Sequence, residues 1–116
     1  MQVLNQSKGS ILASNVQLAE SWWSRLRGLL GRGSLNEGQA LFLKPSSSIH
    51  TFFMRFSIDA VFVDKENRVV KVVADLKPFR VALGKGAHAV LELRAGAVTA
   101  MTVEPGDILL ISNGGE

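Results

Sequence analysis

The stretch that decides the fold is IHTFFMRFSIDAVFVD, residues 49–64. Side chains alternate between the two faces of a strand, so the even positions from Met54 to Phe62 place a row of apolar side chains on one face. The opposite face mixes polar side chains with two valines. A strand that is apolar on one face and half apolar on the other is typical of the centre of a sheet. We therefore predict that Asp59 is a carboxylate held among apolar neighbours.

Length and composition predict one domain over residues 1–116. The chain has 116 residues, is 47% hydrophobic and contains no cysteine. A chain of this length buries roughly two thirds of the surface of its unfolded form, which is enough for a core without disulfides. The absence of cysteine excludes thiolate metal sites and cysteine nucleophiles and agrees with a reducing compartment. No basic start leads into an apolar run, and no stretch approaches about eighteen apolar residues, so we expect a soluble cytoplasmic protein with no membrane segment.

The charge balance disfavours nucleic acid as the main partner. Thirteen Lys and Arg against ten Asp and Glu give a modest and scattered basic excess. Weak nucleic-acid binding by base stacking is kept as an alternative through one tryptophan and three arginines: Trp23, Arg25, Arg27 and Arg32. The high apolar content also fits a surface patch that is used by a partner or by a second copy of the chain.

Most of the remaining sequence predicts strands. The apolar residues between Ser21 and Leu30 have helical spacing, and Ser21 can cap that helix. Residues 2–13 are predicted to form a hairpin with its turn at Lys8 and Gly9, and a second, polar hairpin turn is predicted at Asp64–Asn67. Further extended segments are predicted at 16–18, 39–43, 68–76, 88–94 and 108–111, with the last buried on both faces. One helical turn is expected to end at Met101. In the hairpin Phe56–Leu76, Val63 is expected opposite Arg68, and both faces are apolar. The predicted fold class is therefore mainly β, a small closed or partly closed β-barrel with one helix packed outside.

Five pieces of sequence follow one another in a recognisable order. They are Arg27–Leu30; Ile49–Thr51 with Met54 and Arg55; Ile58 and Asp59 with Phe62–Asp64; Val90–Leu93 with Gly96; and Gly106 with Asp107. Together, from about Ile11 to Ile111, they resemble domain-of-unknown-function family 192. The resemblance implies a small β-rich, barrel-like domain with one packed helix, widespread in prokaryotes and without an established activity. Relatives often carry a cysteine shortly before the histidine, where this chain has Ser46–Ser48, so thiol chemistry is not carried over.

Asp59 is expected to have a structural role. A carboxylate in an apolar setting must find hydrogen-bond donors or become protonated. We expect backbone amides of a neighbouring loop to supply them, or a cation such as Arg80 or Arg94. Buried, satisfied aspartates are commonly structural, which favours that role over catalysis.

The candidate site lies near Ser46–Arg55. His50 follows a serine-rich loop at the entry to the sheet, a common place for a ligand-facing side chain, although it could instead hold the loop closed. The planar guanidinium of Arg55 suits an anionic group, although it could also be a solvated edge charge. We therefore predict a non-catalytic binding or accessory domain for a small anionic ligand or a peptide. The predicted ligand-binding residues are Ser48, His50, Thr51, Arg55 and Glu92.

A small hydrolase-like enzyme is the alternative function. His50 would act as the general base and Asp59 would orient it, but no nucleophile-elbow sequence accompanies Ser48. A metal site would need His50, His88 and a carboxylate to meet by chance in space. No metal or other cofactor is therefore expected.

Overall fold

The computed structural model describes residues 1–19, 35–52 and 54–112. Within these ranges the chain forms ten strands and one short helix: β1 (Gln2–Asn5), β2 (Ser10–Ala13), β3 (Asn15–Ala19), β4 (Gln39–Leu43), β5 (Ser48–His50), β6 (Ile58–Val63), β7 (Val69–Leu76), β8 (Val81–Leu83), β9 (Ala89–Arg94), α1 (Ala97–Ala100) and β10 (Leu109–Ser112). The longer helix predicted between Ser21 and Leu30 lies outside the described residues. The same is true of the predicted nucleic-acid contacts Trp23, Arg25, Arg27 and Arg32.

The strands form three sheets. Their orders are β3-β4-β9-β6-β7, β10-β1-β2 and β5-β8. Only β3 and β4 pair in parallel, and the other ladders of the described strands are antiparallel. The prediction of a mainly β domain is confirmed. The described strands do not close into a single barrel, because no ladder joins the three sheets to one another.

The centre of the five-stranded sheet is buried on both faces. All six residues of β6 are buried, and its alternate side chains enter two separate apolar clusters. Phe62 lies in one cluster, and Val61 and Val63 lie in the other. The neighbouring strand β9 is also buried on both faces, because Leu91 and Leu93 enter one of these clusters and Val90 enters the other. The doubly covered centre predicted from residues 49–64 is therefore found in β6, whereas the hairpin partner β7 is a half-exposed edge strand.

The stretch 49–64 is not one continuous strand, and that prediction was wrong. β5 ends at His50 and pairs with β8, and the chain rejoins the five-stranded sheet only at Ile58. The intervening segment is held by backbone bonds to a distant loop, such as the 2.8 Å bond from the Thr51 N–H to the Arg80 carbonyl. Its residue Met54 is nevertheless buried. The loop at 51–57 and the strand β6 therefore share one apolar pattern, which does not distinguish a buried loop from a buried strand.

Two finer predictions were also wrong. Val63 lies opposite Val69, not Arg68, because irregularities at both ends of the β6–β7 ladder shift the register. The last strand, β10, is not buried on both faces, since Leu110 is half exposed. β10 belongs to the three-stranded sheet, which packs only one face on the core.

One glycine allows the loop after β8 to lie directly on the core. An added Cβ on Gly84 would lie 2.6 Å from Cγ of Phe62, whose side chain is completely buried. Only glycine permits this approach without displacing the ring. The contact fixes the end of β8 against the five-stranded sheet.

Within the described ranges, no helix is long and apolar enough to cross a membrane.

Candidate functional site

Asp59 is a structural aspartate satisfied by backbone amides. Its Oδ1 accepts a 2.8 Å hydrogen bond from the N–H of Asp75, and its Oδ2 accepts bonds of 3.0 and 2.9 Å from Gly96 and Val98. The carboxylate is completely buried and ties β6 to the end of β7 and to the start of α1. The prediction of backbone-amide donors is confirmed. The donors are not the arginines that were considered.

These bonds also show that Asp59 and His50 do not form the predicted catalytic pair. Its three acceptor contacts are all to backbone N–H groups, and none is to His50. An aspartate that orients a general base must accept a hydrogen bond from the imidazole. Asp59 therefore does not orient His50, and neither the hydrolase-like pair nor a triad with Ser48 is assembled.

Thr51 clamps the segment after β5 to the loop before β8. Its side chain is buried, and its Oγ1 donates to the Lys77 carbonyl at 2.6 Å and accepts from the N–H of Arg80 at 2.9 Å. Its carbonyl accepts a 3.1 Å bond from the N–H of Phe79. The hydroxyl is thus used within the protein, and the contribution of Thr51 to the candidate site is to position this loop.

The clamp holds Phe79 in an unusual conformation. Its φ is 63°, a left-handed value that non-glycine residues adopt at a cost of roughly 1–3 kcal/mol. Its side chain is 65% exposed. Strain of this kind is concentrated at functional sites. An exposed aromatic ring held at that cost is therefore a candidate contact residue.

Three rings run in a row across the clamp. The rings of His50 and Phe52 are stacked, with centroids 5.0 Å apart, and the Phe52 centroid lies 6.4 Å from that of Phe79. His50 is half buried, whereas Phe52 is 39% exposed. The predicted site residue His50 thus lies at the inner end of an aromatic row that reaches the surface.

Two aliphatic side chains extend this row along β8. Val81 is 58% exposed and Leu83 is 62% exposed, while Ala82 between them is buried. We call the surface of Phe52, Phe79, Val81 and Leu83 the β8 face. A contiguous exposed apolar surface of this kind typically marks an interaction site.

The two segments of chain that carry the β8 face contain basic residues and no acidic ones. Residues 44–57 and 77–88, which carry β5, β8 and their flanking loops, contain five Lys and Arg and no Asp or Glu. The rest of the chain has eight basic and ten acidic residues. Lys77 is paired with Asp75 at 3.1 Å, and within the described ranges the other four cations form no ion pair. Those four are Lys44, Arg55, Arg80 and Lys85.

The predicted ligand-binding residues are not all on this surface. Ser48 and Arg55 are exposed beside it, and His50 reaches it through Phe52. Glu92 is completely buried in the centre of the five-stranded sheet, opposite Leu41 and Ala60. It therefore does not share the exposed surface of Ser48 and Arg55. In the described part of the chain no three metal-ligating side chains come together, so His50 and His88 do not form the three-ligand set that was considered.

The sequence prediction missed the residues that dominate the surface. Phe79, Val81 and Leu83 alternate with Arg80 and Ala82, which is the pattern of a half-buried strand. That alternation could have identified β8. The proline directly before Phe79 and the short length of the strand weaken that signal.

A polar cluster lies between the first hairpin and the turn before β10. The buried Asp107 accepts hydrogen bonds from Asn5 Nδ2 at 2.9 Å and Lys8 Nζ at 3.0 Å, and Lys8 also pairs with Glu104. Burial of the Asp107 carboxyl opposes ionisation, but the bonds from Asn5 and Lys8 outweigh it and hold its pKa below the usual range. The hydrogen bond to Asp107 in turn raises the pKa of Lys8. The cluster joins the first hairpin to the turn before β10.

Two solved structures have a similar fold. A protein of unknown function from Novosphingobium aromaticivorans has a TM-score of 0.75 and 22% identity, covering 95% of this chain and 82% of its own. A protein from Sinorhizobium meliloti, described as a candidate transcription regulator, has a TM-score of 0.78 and 20% identity, covering 94% and 89%. At these identities the similarity concerns the fold. The protein is thus a small mainly β domain of a known structural type.

The sequence comparisons identify the family. The profile of domain-of-unknown-function family 192 (DUF192, described as Uncharacterized ACR) matches residues 3–111. A UPF0127 protein from Pyrococcus abyssi is 36% identical over 112 residues, which cover 90% of this chain and 92% of the relative. A UPF0127 protein from Thermococcus sibiricus is 34% identical over 114 residues, covering 90% and 71%. The chain belongs to the DUF192 family, which confirms the resemblance seen in its sequence.

Proposed function

We propose that this protein is a non-catalytic binding module that holds an extended peptide segment of a partner protein, rich in apolar and acidic residues, on the β8 face. The main support is a row of exposed apolar side chains, Phe79, Val81 and Leu83, on a strand that has only one ladder partner among the described residues. Peptides that add a strand to a sheet edge gain affinity from main-chain hydrogen bonds and specificity from alternate side chains.

The outer edge of β8 has backbone N–H and C=O groups that can pair with an added strand. The Thr51 N–H donates to the Arg80 carbonyl, and the Gly84 N–H donates to the Ser47 carbonyl. These bonds mark the positions at which β8 faces β5. In an antiparallel pair, backbone groups alternate between the partner and the opposite edge. Val81 therefore directs its own N–H and C=O away from β5.

Leu83 illustrates the same alternation. Its carbonyl accepts a 2.6 Å hydrogen bond from Nζ of Lys71, which approaches from the side away from β5. A lysine at an open edge is a common device against edge-to-edge aggregation. It covers the edge at Leu83, the last residue of β8, and leaves the outward backbone groups of Val81, the first residue, for a peptide partner.

Charge favours an acidic segment. The loops around the β8 face carry five cations and no carboxylate, while the rest of the chain has more acidic than basic residues. Charge complementarity of this kind steers association and rejects partners of the wrong sign. The aliphatic Val81 and Leu83 favour a peptide over single-stranded nucleic acid, which is bound mainly on aromatic platforms.

A selection from random linear decapeptides displayed on phage tests the proposal. We expect enriched sequences in which apolar residues alternate and acidic residues flank them, because they must match the spacing of a strand. Phe79→Ser should weaken binding of a synthetic enriched peptide by about tenfold, since it removes a large apolar contact. Leu110→Ser is the matched control, because Leu110 is exposed on a different sheet.

The backbone contribution is tested at one position. Val81→Pro removes the outward N–H and should weaken the peptide by about tenfold, whereas Val81→Thr keeps the N–H and should bind nearly as the native protein does. Circular dichroism checks that each variant is folded. The absence of any enriched peptide, or equal binding by Phe79→Ser and the native protein, would contradict the proposal. Binding of oligothymidylate or of phosphatidylglycerol vesicles at this face, without peptide binding, would also contradict it.

A further inference from the structure

A second concave surface lies between the first hairpin and the segment after α1. Its volume is about 260 Å³. This is just below the range of about 300–1,000 Å³ that is typical of small-molecule pockets, so it suits a very small metabolite. The apolar part of its lining is contributed by Ile11, Leu12, Ala13, Ala100 and Met101.

Arg94 lines this cavity, and none of the residues that the structure describes is its partner. Its Nε is buried, and the described part of the chain supplies no hydrogen-bond acceptor for that atom. No ion pair or side-chain hydrogen bond to another described residue involves its guanidinium. The positive charge of Arg94 is therefore not neutralised within the described part of the chain, which leaves its Nη groups for an acceptor from outside.

Glu37 lines the same cavity and carries the opposite charge. It is exposed and is not paired with Arg94. A cation and an anion that line one cavity without contacting each other match a ligand that carries both charges. Ser14 is the third polar lining residue.

We propose that this cavity binds a free α-amino acid with an aliphatic side chain. Its carboxylate would accept hydrogen bonds from the terminal Nη groups of Arg94, because the Nε of this side chain is itself buried. Its ammonium group would pair with Glu37, and its side chain would lie against Ile11 and Met101. Inorganic phosphate fits less well, because it leaves the apolar lining unused and meets the negative charge of Glu37.

The inference is independent of the proposed peptide-binding function. No residue that lines the cavity belongs to the β8 face. Failure of one proposal therefore leaves the other unaffected.

Calorimetric titration with four probes tests the ligand class. The probes are L-leucine, 4-methylpentanoate, which lacks the amine, 3-methylbutylamine, which lacks the carboxylate, and inorganic phosphate. We expect L-leucine to bind most tightly and each truncated probe to bind about tenfold more weakly or not at all, because a charged contact is lost in each.

Two substitutions assign the contacts. Arg94→Lys keeps the charge but removes the fork, and should weaken L-leucine by about tenfold. Glu37→Gln should weaken L-leucine but leave 4-methylpentanoate unchanged, since that probe has no ammonium group. Arg80→Lys is the matched control, because Arg80 precedes β8 and does not line the cavity; this variant should bind L-leucine as the native protein does.

A spectroscopic readout locates the ligand without any substitution. The chain has three methionines, and only Met101 lines the cavity, whereas Met54 is buried in the cluster that contains Ile49. With ¹³C-labelled methionine methyl groups, L-leucine should shift the Met101 signal and not that of Met54. Absence of binding at millimolar L-leucine, an unchanged Met101 signal, full binding by Arg94→Lys, or equally tight binding of phosphate would each overturn the proposal.

Discussion

Replacing Asp59 by asparagine should strongly destabilise the protein. The carboxylate accepts three backbone hydrogen bonds, of 2.8, 3.0 and 2.9 Å, in a completely buried position. An asparagine oxygen can still serve Gly96 and Val98, but its NH₂ group then faces the N–H of Asp75. One buried N–H loses its acceptor, and the two bonds that remain change from charged to neutral.

The expected loss of unfolding free energy is about 3–4 kcal/mol. Hydrogen bonds to a charged group contribute about 1.5–3 kcal/mol, and a buried donor left unsatisfied costs about 1–3 kcal/mol, with partial overlap between the two. For a domain of this size, 1 kcal/mol lowers the melting temperature by roughly 4 °C, so the Asp59→Asn midpoint should fall by about 12–16 °C. Differential scanning calorimetry and urea unfolding measure both quantities.

Asp75→Asn is the matched control for Asp59→Asn. The side chain of Asp75 is 59% exposed and its partner Lys77 is 63% exposed. An exposed pair of this kind contributes about 0–1 kcal/mol, so the control should unfold close to the native midpoint. If Asp59→Asn is no less stable than Asp75→Asn, the three amide contacts do not hold β6, β7 and α1 together as inferred.

Three further predictions concern single positions. Gly84→Ala should lose about 1–3 kcal/mol in urea unfolding, because its Cβ would overlap the buried ring of Phe62; an unchanged midpoint would show that the loop can move away. Asp107 has a lowered pKa, so its stabilisation is complete above its unfolded pKa of about 4 and is lost as the pH falls through the folded pKa. Asp107→Asn should therefore remove part of the acid limb of stability measured from neutral pH down to about pH 2, and an identical acid limb would contradict this. Thr51→Val should lose about 1–3 kcal/mol and weaken peptide binding at the β8 face, because the N–H of Arg80 loses its acceptor; a variant with native peptide affinity would separate the clamp from the site.

The sequence predicted those features that depend on short-range signals. The turns at Gly9 and Asn67 contain residue types that favour turns, and both residues have positive φ values. Asp59 was recognisable as a structural carboxylate because it stands alone in an apolar run, and its neighbours in space supplied the expected amides. Local chemistry was enough for these.

Features that depend on distant contacts were not predictable. The division of residues 49–64 into two strands follows from the contacts of Thr51 with Lys77 and Arg80, which are 26 and 29 residues away. No residue close to Thr51 in the sequence indicates these contacts. The buried Met54 continues the apolar pattern through the segment between β5 and β6. The β8 face arises from the same long-range pairing, so the sequence located His50 but not the exposed row beside it.

The cavity of Arg94 has the same origin. Its lining comes from four separate parts of the chain, which meet only through the pairing of the sheets. From the sequence, Arg94 is one of two arginines that could serve as a cation for the Asp59 carboxylate. The structure instead shows that all three hydrogen bonds to the Asp59 carboxylate come from backbone amides.

Hydrogen exchange at the amide of Val81 tests the central claim most directly. With a peptide enriched in the phage selection bound, strand addition predicts that exchange of the Val81 N–H slows by at least about tenfold, because it gains a main-chain acceptor. The amide of Val98, which already donates to Asp59, should keep its rate. An unchanged Val81 rate under saturating peptide, with protection appearing on another sheet, would contradict β8 as the docking strand.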